Sequence, residues 1–376
     1  MQQINFLRGT PADEALIPVS EFFTHEFPKV FQKYGDRILQ YQSPGLTDFL
    51  GFHPLKEILA ERFGPTGDPQ KRILCTNGGM ETFSLLMKSL PSKSQIATDA
   101  LTYDRVLADM KHLGHLAVGV PFCEEGTDVQ ALQKTLAQGD IQLFYQVAYH
   151  HNPLGITTSL DNLSAVSEIC AQNHVLHVMD IAYYELRYDG SANQLLDLAK
   201  YPETTAILGS FTKTLSPGAK CGFGIFPEKV IKRLTPVVAN SRLNPNYPTQ
   251  AAIHNLIKSG LYDEHLRFLI DLYKPRMESM NAALQQHLPE INAPELTGGF
   301  FVGIWLPEIS DAAQFIQTVK SKCVIISQNN VFAPGWKEYY RNKGRGAFFR
   351  LTFPANSPQE NELGIAIIAE TYQQLK

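Results

Sequence analysis

Between residues 73 and 226 the chain repeats one pattern, a short apolar run followed by an amphipathic segment. The runs are Ile73-Leu74-Cys75, Gln95-Ile96-Ala97, Leu116 to Val120, Leu143-Phe144-Tyr145, His174 to Met179, Ala206-Ile207-Leu208 and Cys221 to Phe226. Alternation of this kind predicts a mostly parallel sheet, here of seven strands, with helices on both faces. Asp128 to Gln138 and Leu160 to Gln172 read as two of those helices, the second entered through Ser159 or Asp161 as its cap.

The pattern changes after Pro248. Thr249 to His287 carries apolar residues at helical spacing and reads as one long helix, kinked only at Pro275 and joining two domains. Gly298 to Trp305, Cys323 to Ile326 and Phe348 to Phe353 supply strands for a small α+β lobe closed by a helix from Gln359 to Leu375. The proline turns near the start read as an arm that completes this lobe. The predicted organisation is an arm at 1–41, a large domain at 42–255 and a small C-terminal domain at 256–376, without repeats or low-complexity tracts.

A chain of 376 residues that is 44% hydrophobic can bury a substantial core. Its net charge of -4 and lack of a long basic run argue against nucleic acid or an anionic membrane as partner. No stretch approaches the ~20 continuous apolar residues that a bilayer demands, and Met1 to Asn5 lacks the marks of a signal peptide, so the cytoplasm is the expected location. Cys75, Cys123, Cys170, Cys221 and Cys323 are odd in number, scattered and set among apolar residues, which fits reduced core thiols better than disulfides or a metal cage.

The most telling stretch for chemistry is Ser210-Phe211-Thr212-Lys213-Thr214-Leu215-Ser216-Pro217-Gly218-Ala219-Lys220. It follows the apolar run Thr205 to Gly209, and ligands in open α/β sheets collect beyond the carboxyl ends of strands. Lys213 is thus placed for chemistry, as a Schiff-base amine would be. Asp180 ends the run His174 to Met179, Gly78-Gly79-Met80 offers bare backbone at the start of a helix for an anion, and Arg350 sits among apolar neighbours where it needs an anion to pair with.

In order, Gly78-Gly79-Met80, Asn152-Pro153-Leu154-Gly155, Asp180-Ile181-Ala182-Tyr183 and Ser210-Phe211-Thr212-Lys213, together with Arg350, resemble the fold type I pyridoxal phosphate (PLP) enzymes. The likeness is to the class I/II aminotransferases of the 2-aminoadipate and aromatic branch, and it covers nearly the whole chain. It implies that Lys213 carries PLP as an imine and shuttles a proton between substrate Cα and the cofactor's C4', roles that require a deprotonated amine. Asp180 would keep the pyridine nitrogen protonated so that the ring draws electrons. Asn152 and Tyr183 would donate to the phenolic oxygen, with Tyr184 as the competitor for Tyr183. Gly78, Gly79, Met80, Ser210 and Lys220 would hold the phosphate, Tyr103 would stack on the ring, and Tyr41 would reach the phosphate of a second copy in a homodimer. Arg350, helped by Asn152, would take the substrate α-carboxylate.

Three positions depart from the resembled pattern. Lys220 replaces the usual arginine, whose planar fork lysine cannot copy, so weaker cofactor retention is expected. Leu101 stands where a proline is usual before Tyr103, and Leu154 replaces a small residue in the Asn-Pro-x-Gly turn. Either of His150-His151, just before that turn, could line the substrate side, although exposed loop histidines are commoner. The resemblance implies transfer of an amino group between an L-amino acid and a 2-oxo acid. A PLP-dependent lyase or synthase uses the same residues and is the alternative; a ligand-sensing, DNA-binding protein is disfavoured because no basic segment precedes Ile4.

Overall fold

The structure, a computed structural model, describes residues 3–191, 194–326 and 346–376. Its N-terminal strand Ile4–Asn5 pairs in parallel with Val324–Ile325. The proline turns expected next are instead a helix, α1 (Asp13–Tyr34), with Pro18 and Pro28 inside it. Each interior proline removes a backbone hydrogen bond, at a cost of about 3 kcal/mol. Packing offsets that loss: α1 buries Ala15, Val19 and Val30, Arg276 pairs with Glu14 at 2.8 Å, and the Asn255 amide donates to buried Glu26 at 3.1 Å.

Seven strands form the central sheet: β1 (Ile73–Thr76), β2 (Gln95–Asp99), β3 (Leu116–Val120), β4 (Ile141–Val147), β5 (Leu176–Asp180), β6 (Thr205–Ser210) and β7 (Gly222–Ile225). Their spatial order is β1-β7-β6-β5-β4-β2-β3, with β7 alone antiparallel to its neighbours. Helices α2 (Gly79–Lys88), α3 (Asp104–His112), α4 (Leu160–Gln172) and α5 (Glu228–Arg242) cover the faces. Strand parity shows why both faces need cover. Leu143 and Tyr145 of β4 pack with Phe83, Val178 and Leu234, whereas Phe144 packs with Val166 and Cys170 of α4. Each such buried apolar side chain contributes on the order of 1.5–3 kcal/mol. Ser159, not Asp161, caps α4 by accepting from Asn162 N at 3.1 Å.

The single helix expected over 249–287 is two, α6 (Tyr247–Lys258) and α7 (Leu261–His287). The break falls at Ser259-Gly260, where Gly260 takes φ 82°, while Pro275 stays inside α7. Strands β8 (Phe301–Leu306) and β9 (Ala347–Thr352) pair antiparallel with Gly303 opposite Arg350. The last helix, α8 (Pro358–Leu375), begins with a reciprocal cap between Ser357 and Glu360. Cys75, Cys170 and Cys221 are buried thiols, but Cys123 is exposed and Cys323 half-buried, so the reading of all five as core residues fails at those two.

Candidate active site

The site forms where the carboxyl ends of β4, β5 and β6 meet the turns that follow them, as parallel pairing requires. Asp180, the last residue of β5, accepts from Tyr145 Oη at 2.7 Å and from Ala182 N at 3.0 Å. Burial pushes its carboxyl pKa up, against the opposing pull of the Tyr145 hydrogen bond and the nearby Lys213. Lys213 lies three residues beyond β6. Its Nζ donates to the carbonyl of Gly9 and lies 5.8 Å from the Tyr183 ring and 5.9 Å from the Phe300 ring. Burial first, and then the positive charge of Arg350, bring its pKa down to about 8. The result is an amine largely free of its proton at mildly alkaline pH.

The opening of α2 faces the end of β6. Gly78 has φ 133° and caps the helix with no side chain, so its amides and those of the first turn carry the positive end of the helix dipole. A Cβ at Gly79 would touch Ser210 Cβ at 3.5 Å, and one at Gly78 would lie 4.0 Å from Thr212 Oγ1. The Ser210 hydroxyl donates to Thr212 Oγ1 at 2.9 Å, and Thr212 N donates back at 3.2 Å. Gly222 closes the far side: a Cβ there would fall 2.6 Å from the Gly78 carbonyl carbon. Two strands and a helix start thus meet through backbone. The Met80 side chain adds no polar atom and packs against the core beside α2, while its amide belongs to that first turn.

Arg350 comes from β9, across the cleft. Its Nη1 donates to Asn152 Oδ1 at 3.1 Å, and its guanidinium lies 4.6 Å from the Phe301 ring centre. Asn152 is joined to Pro153 by a cis bond, in the turn after β4. Tyr103 precedes α3, partly buried, with its hydroxyl pKa raised by burial against the opposing charge of Arg105, and it also feels Asp180 and Arg350. Tyr183 is buried and meets Phe300 and Phe301, each at 5.6 Å between ring centres.

The cleft therefore brings together Gly78, Gly79, Tyr103, Asn152, Asp180, Tyr183, Ser210, Lys213 and Arg350. Two expected members are exposed. Tyr41 is 71% exposed, its backbone carbonyl accepting from Tyr247 Oη at 2.8 Å, and Lys220 is exposed with φ 47°. The histidines before Asn152 are not exposed loop residues. His150 is buried under Gly298 and Gly299, with its pKa lowered to about 3 by desolvation, and His151 is fully buried 3.3 Å from Asp99. Leu101 and Leu154, two of the departures from pattern, line a cavity of ≈ 520 Å³ with Gly303, Trp305 and Phe348. Sequence reading missed Tyr145, Thr212 and the Gly9 carbonyl. Tyr145 had a signal in the alternation of β4, which turns it to the same side as Val147; Gly9 had none, because its meeting with Lys213 spans 204 residues.

The family profile described as "Aminotransferase class I and II" matches residues 20–368. Aromatic-amino-acid aminotransferase 1 of Thermococcus litoralis is 26% identical, over 99% of this chain and 88% of that protein. The 2-aminoadipate transaminase of Thermus thermophilus is 28% identical, over 93% of this chain and 85% of that protein. Among solved structures, the multiple substrate aminotransferase of Thermococcus profundus superposes with a TM-score of 0.86 at 26% identity, over 99% of this chain and 92% of that one.

Proposed function

This chain belongs to the class I and II aminotransferases, and from that premise we propose how its own residues carry the reaction. It is a PLP-dependent enzyme of fold type I that moves an amino group between an L-amino acid and a 2-oxo acid. The donor set fits such a cofactor. A partly buried carboxylate at Asp180 calls for a cationic partner, bare amides at Gly78-Gly79 beside the Ser210 hydroxyl suit a phosphate, and an easily deprotonated amine at Lys213 suits an aldehyde. When bound, PLP supplies an electron-withdrawing ring that stabilises negative charge at the substrate Cα.

In this reading Lys213 Nζ would hold the cofactor and, once released, would take the substrate Cα proton and deliver it to the cofactor's C4'. The lowered pKa supports that role, because only the free base can accept a proton. Asp180 keeps a proton on the ring nitrogen, and the Tyr145 hydroxyl fixes the carboxylate's orientation. Arg350 Nη atoms bind the α-carboxylate and so aim the Cα–H bond at Lys213, a task of orientation. Asn152 Oδ1 steadies that guanidinium, leaving its Nδ2 to donate to the phenolic oxygen with Tyr183. Tyr103 would stack on the ring, Phe300 keeps water from the amine, and Phe301 packs on the Arg350 guanidinium. Lys220 supplies charge, without a fork, to the phosphate.

We also read the chain as a cytoplasmic homodimer with the arm and small lobe bounded at 41 and 255. Exposed Leu39 (69%) and Tyr41 (71%) support a second copy, and the unpaired cysteines support a reducing compartment. Among the described residues no helix is long and apolar enough to cross a membrane.

The observation that carries the reading is the lowered amine pKa of Lys213 in the same cleft as Arg350. The test is half-reaction spectroscopy of the PLP-loaded protein against a broad panel of L-amino acids. At least one should convert the cofactor's long-wavelength band to that of the amine form and yield a 2-oxo acid. An unchanged band across the panel would reject the reading.

A further inference from the structure

A buried polar chain runs beneath the site without touching the reacting atoms. Ser167 of α4 contacts His177 Nδ1 at 2.8 Å, His177 Nε2 contacts Gln146 Oε1 at 3.1 Å, and Gln146 Nε2 donates to Thr127 Oγ1 at 2.8 Å. The Thr127 hydroxyl in turn donates to Asp99 Oδ1 at 2.8 Å. All donors point toward Asp99, which ends β2 as a fully buried carboxylate. Its other oxygen, Oδ2, lies 3.3 Å from His151 Nε2, an electrostatic contact bent away from hydrogen-bond alignment. The remaining ring nitrogen of His151, Nδ1, accepts from Leu154 N at 3.5 Å, which leaves Nε2 to face Asp99.

The turn that His151 opens closes on itself through backbone: His151 N donates to Ile156 O at 2.7 Å and Gly155 N to His151 O at 2.6 Å. Besides the Asn152–Arg350 bond and the Phe122 ring packed 5.1 Å from that of His151, its ties to other elements among the described residues include two that bracket Asn152. Gly303 N of β8 donates to Leu154 O at 3.2 Å, and the His151 ring reaches Asp99. Between these points stands Asn152, whose Oδ1 receives Arg350.

We propose that His151, held by Asp99, is a positioning residue that fixes Asn152 against the sheet and so sets the Arg350 carboxylate site. The proposal rests on the reading of Arg350 as the α-carboxylate site. With the imidazole gone, the turn keeps its tie to β8 but loses the one to β2, and Asn152 follows the small lobe. Carboxylate affinity then falls although every group that touches the substrate is still present.

The test is a double-mutant cycle of H151A and N152A in the PLP-loaded enzyme. Its readout is the calorimetric affinity of 2-oxoglutarate, which has no amino group to give up. H151A alone should weaken binding about 10-fold, and KM for the amino acid should rise more than kcat falls. In the N152A background H151A should add less than about 2-fold, because coupled sites are not additive. Equal losses in both backgrounds, or none in the first, would overturn the proposal, since general loosening acts alike in both. H151L, which keeps comparable volume without the donor toward Asp99, covers the case in which H151A does not fold; additivity with N152A overturns the proposal there too. Should the parent bind no 2-oxo acid at all, the carboxylate reading of Arg350 falls and this inference with it. Should coupling persist in a protein that transfers no amino group, the reaction fails and the positioning role stands.

Discussion

Lys213 trades folding stability for reactivity. Its pKa falls from 10.5 to about 8 on folding, so between those values the unfolded chain binds the extra proton. Stability must then rise with pH across that window, by up to about 3 kcal/mol in the cofactor-free protein, with the full penalty present below pH 8. K213M removes the titration, so urea melts of parent and variant should converge by that amount from pH 8 to 10.5, and parallel curves would contradict the assignment. Lys220 makes a second prediction. K220R should tighten PLP about 10-fold in a fluorescence titration if residue 220 meets the phosphate, because a guanidinium binds it bidentately; no change would detach the residue from the site. Most of the site was legible at this scale because each residue type has few other reasons to stand at a strand end. His150 was not: the room for its side chain is made by Gly298 and Gly299, where a Cβ would come within 2.5 Å of it, and nothing local announces glycines so distant in the sequence.

At the scale of elements, the seven strands could be read because parallel strands are buried on both faces and appear as unbroken apolar runs. Helix boundaries carried less information. The gap between α6 and α7 turns on Gly260 at φ 82°, and one glycine in a long amphipathic run reads as a tolerated interruption. Replacement by alanine should cost about 1–2 kcal/mol in chemical denaturation, with PLP affinity unchanged, as the left-handed region penalises a Cβ. The cup at the start of α2 is less forgiving. G222A places a Cβ 2.6 Å from the Gly78 backbone, so β7 and α2 must separate and PLP affinity should fall at least about 10-fold while secondary structure survives. Retained affinity would show that the amides of Gly78-Gly79 do not cradle the phosphate.

Across the whole molecule, the cleft is built from parts distant in sequence: Gly9 from the N-terminal segment, Asn152, Asp180 and Lys213 from the sheet, and Arg350 from β9. The order of those parts along the chain was visible, but the crossing of the N-terminal segment over Lys213 was not, since Leu7 to Thr10 carry no pattern that specifies a partner. The account stands on one amine capturing one aldehyde. Purified protein incubated with PLP and reduced with borohydride should carry the pyridoxyl mass on the peptide containing Lys213, with K213A unlabelled. Label spread over surface lysines, or equal labelling of K213A, would contradict it.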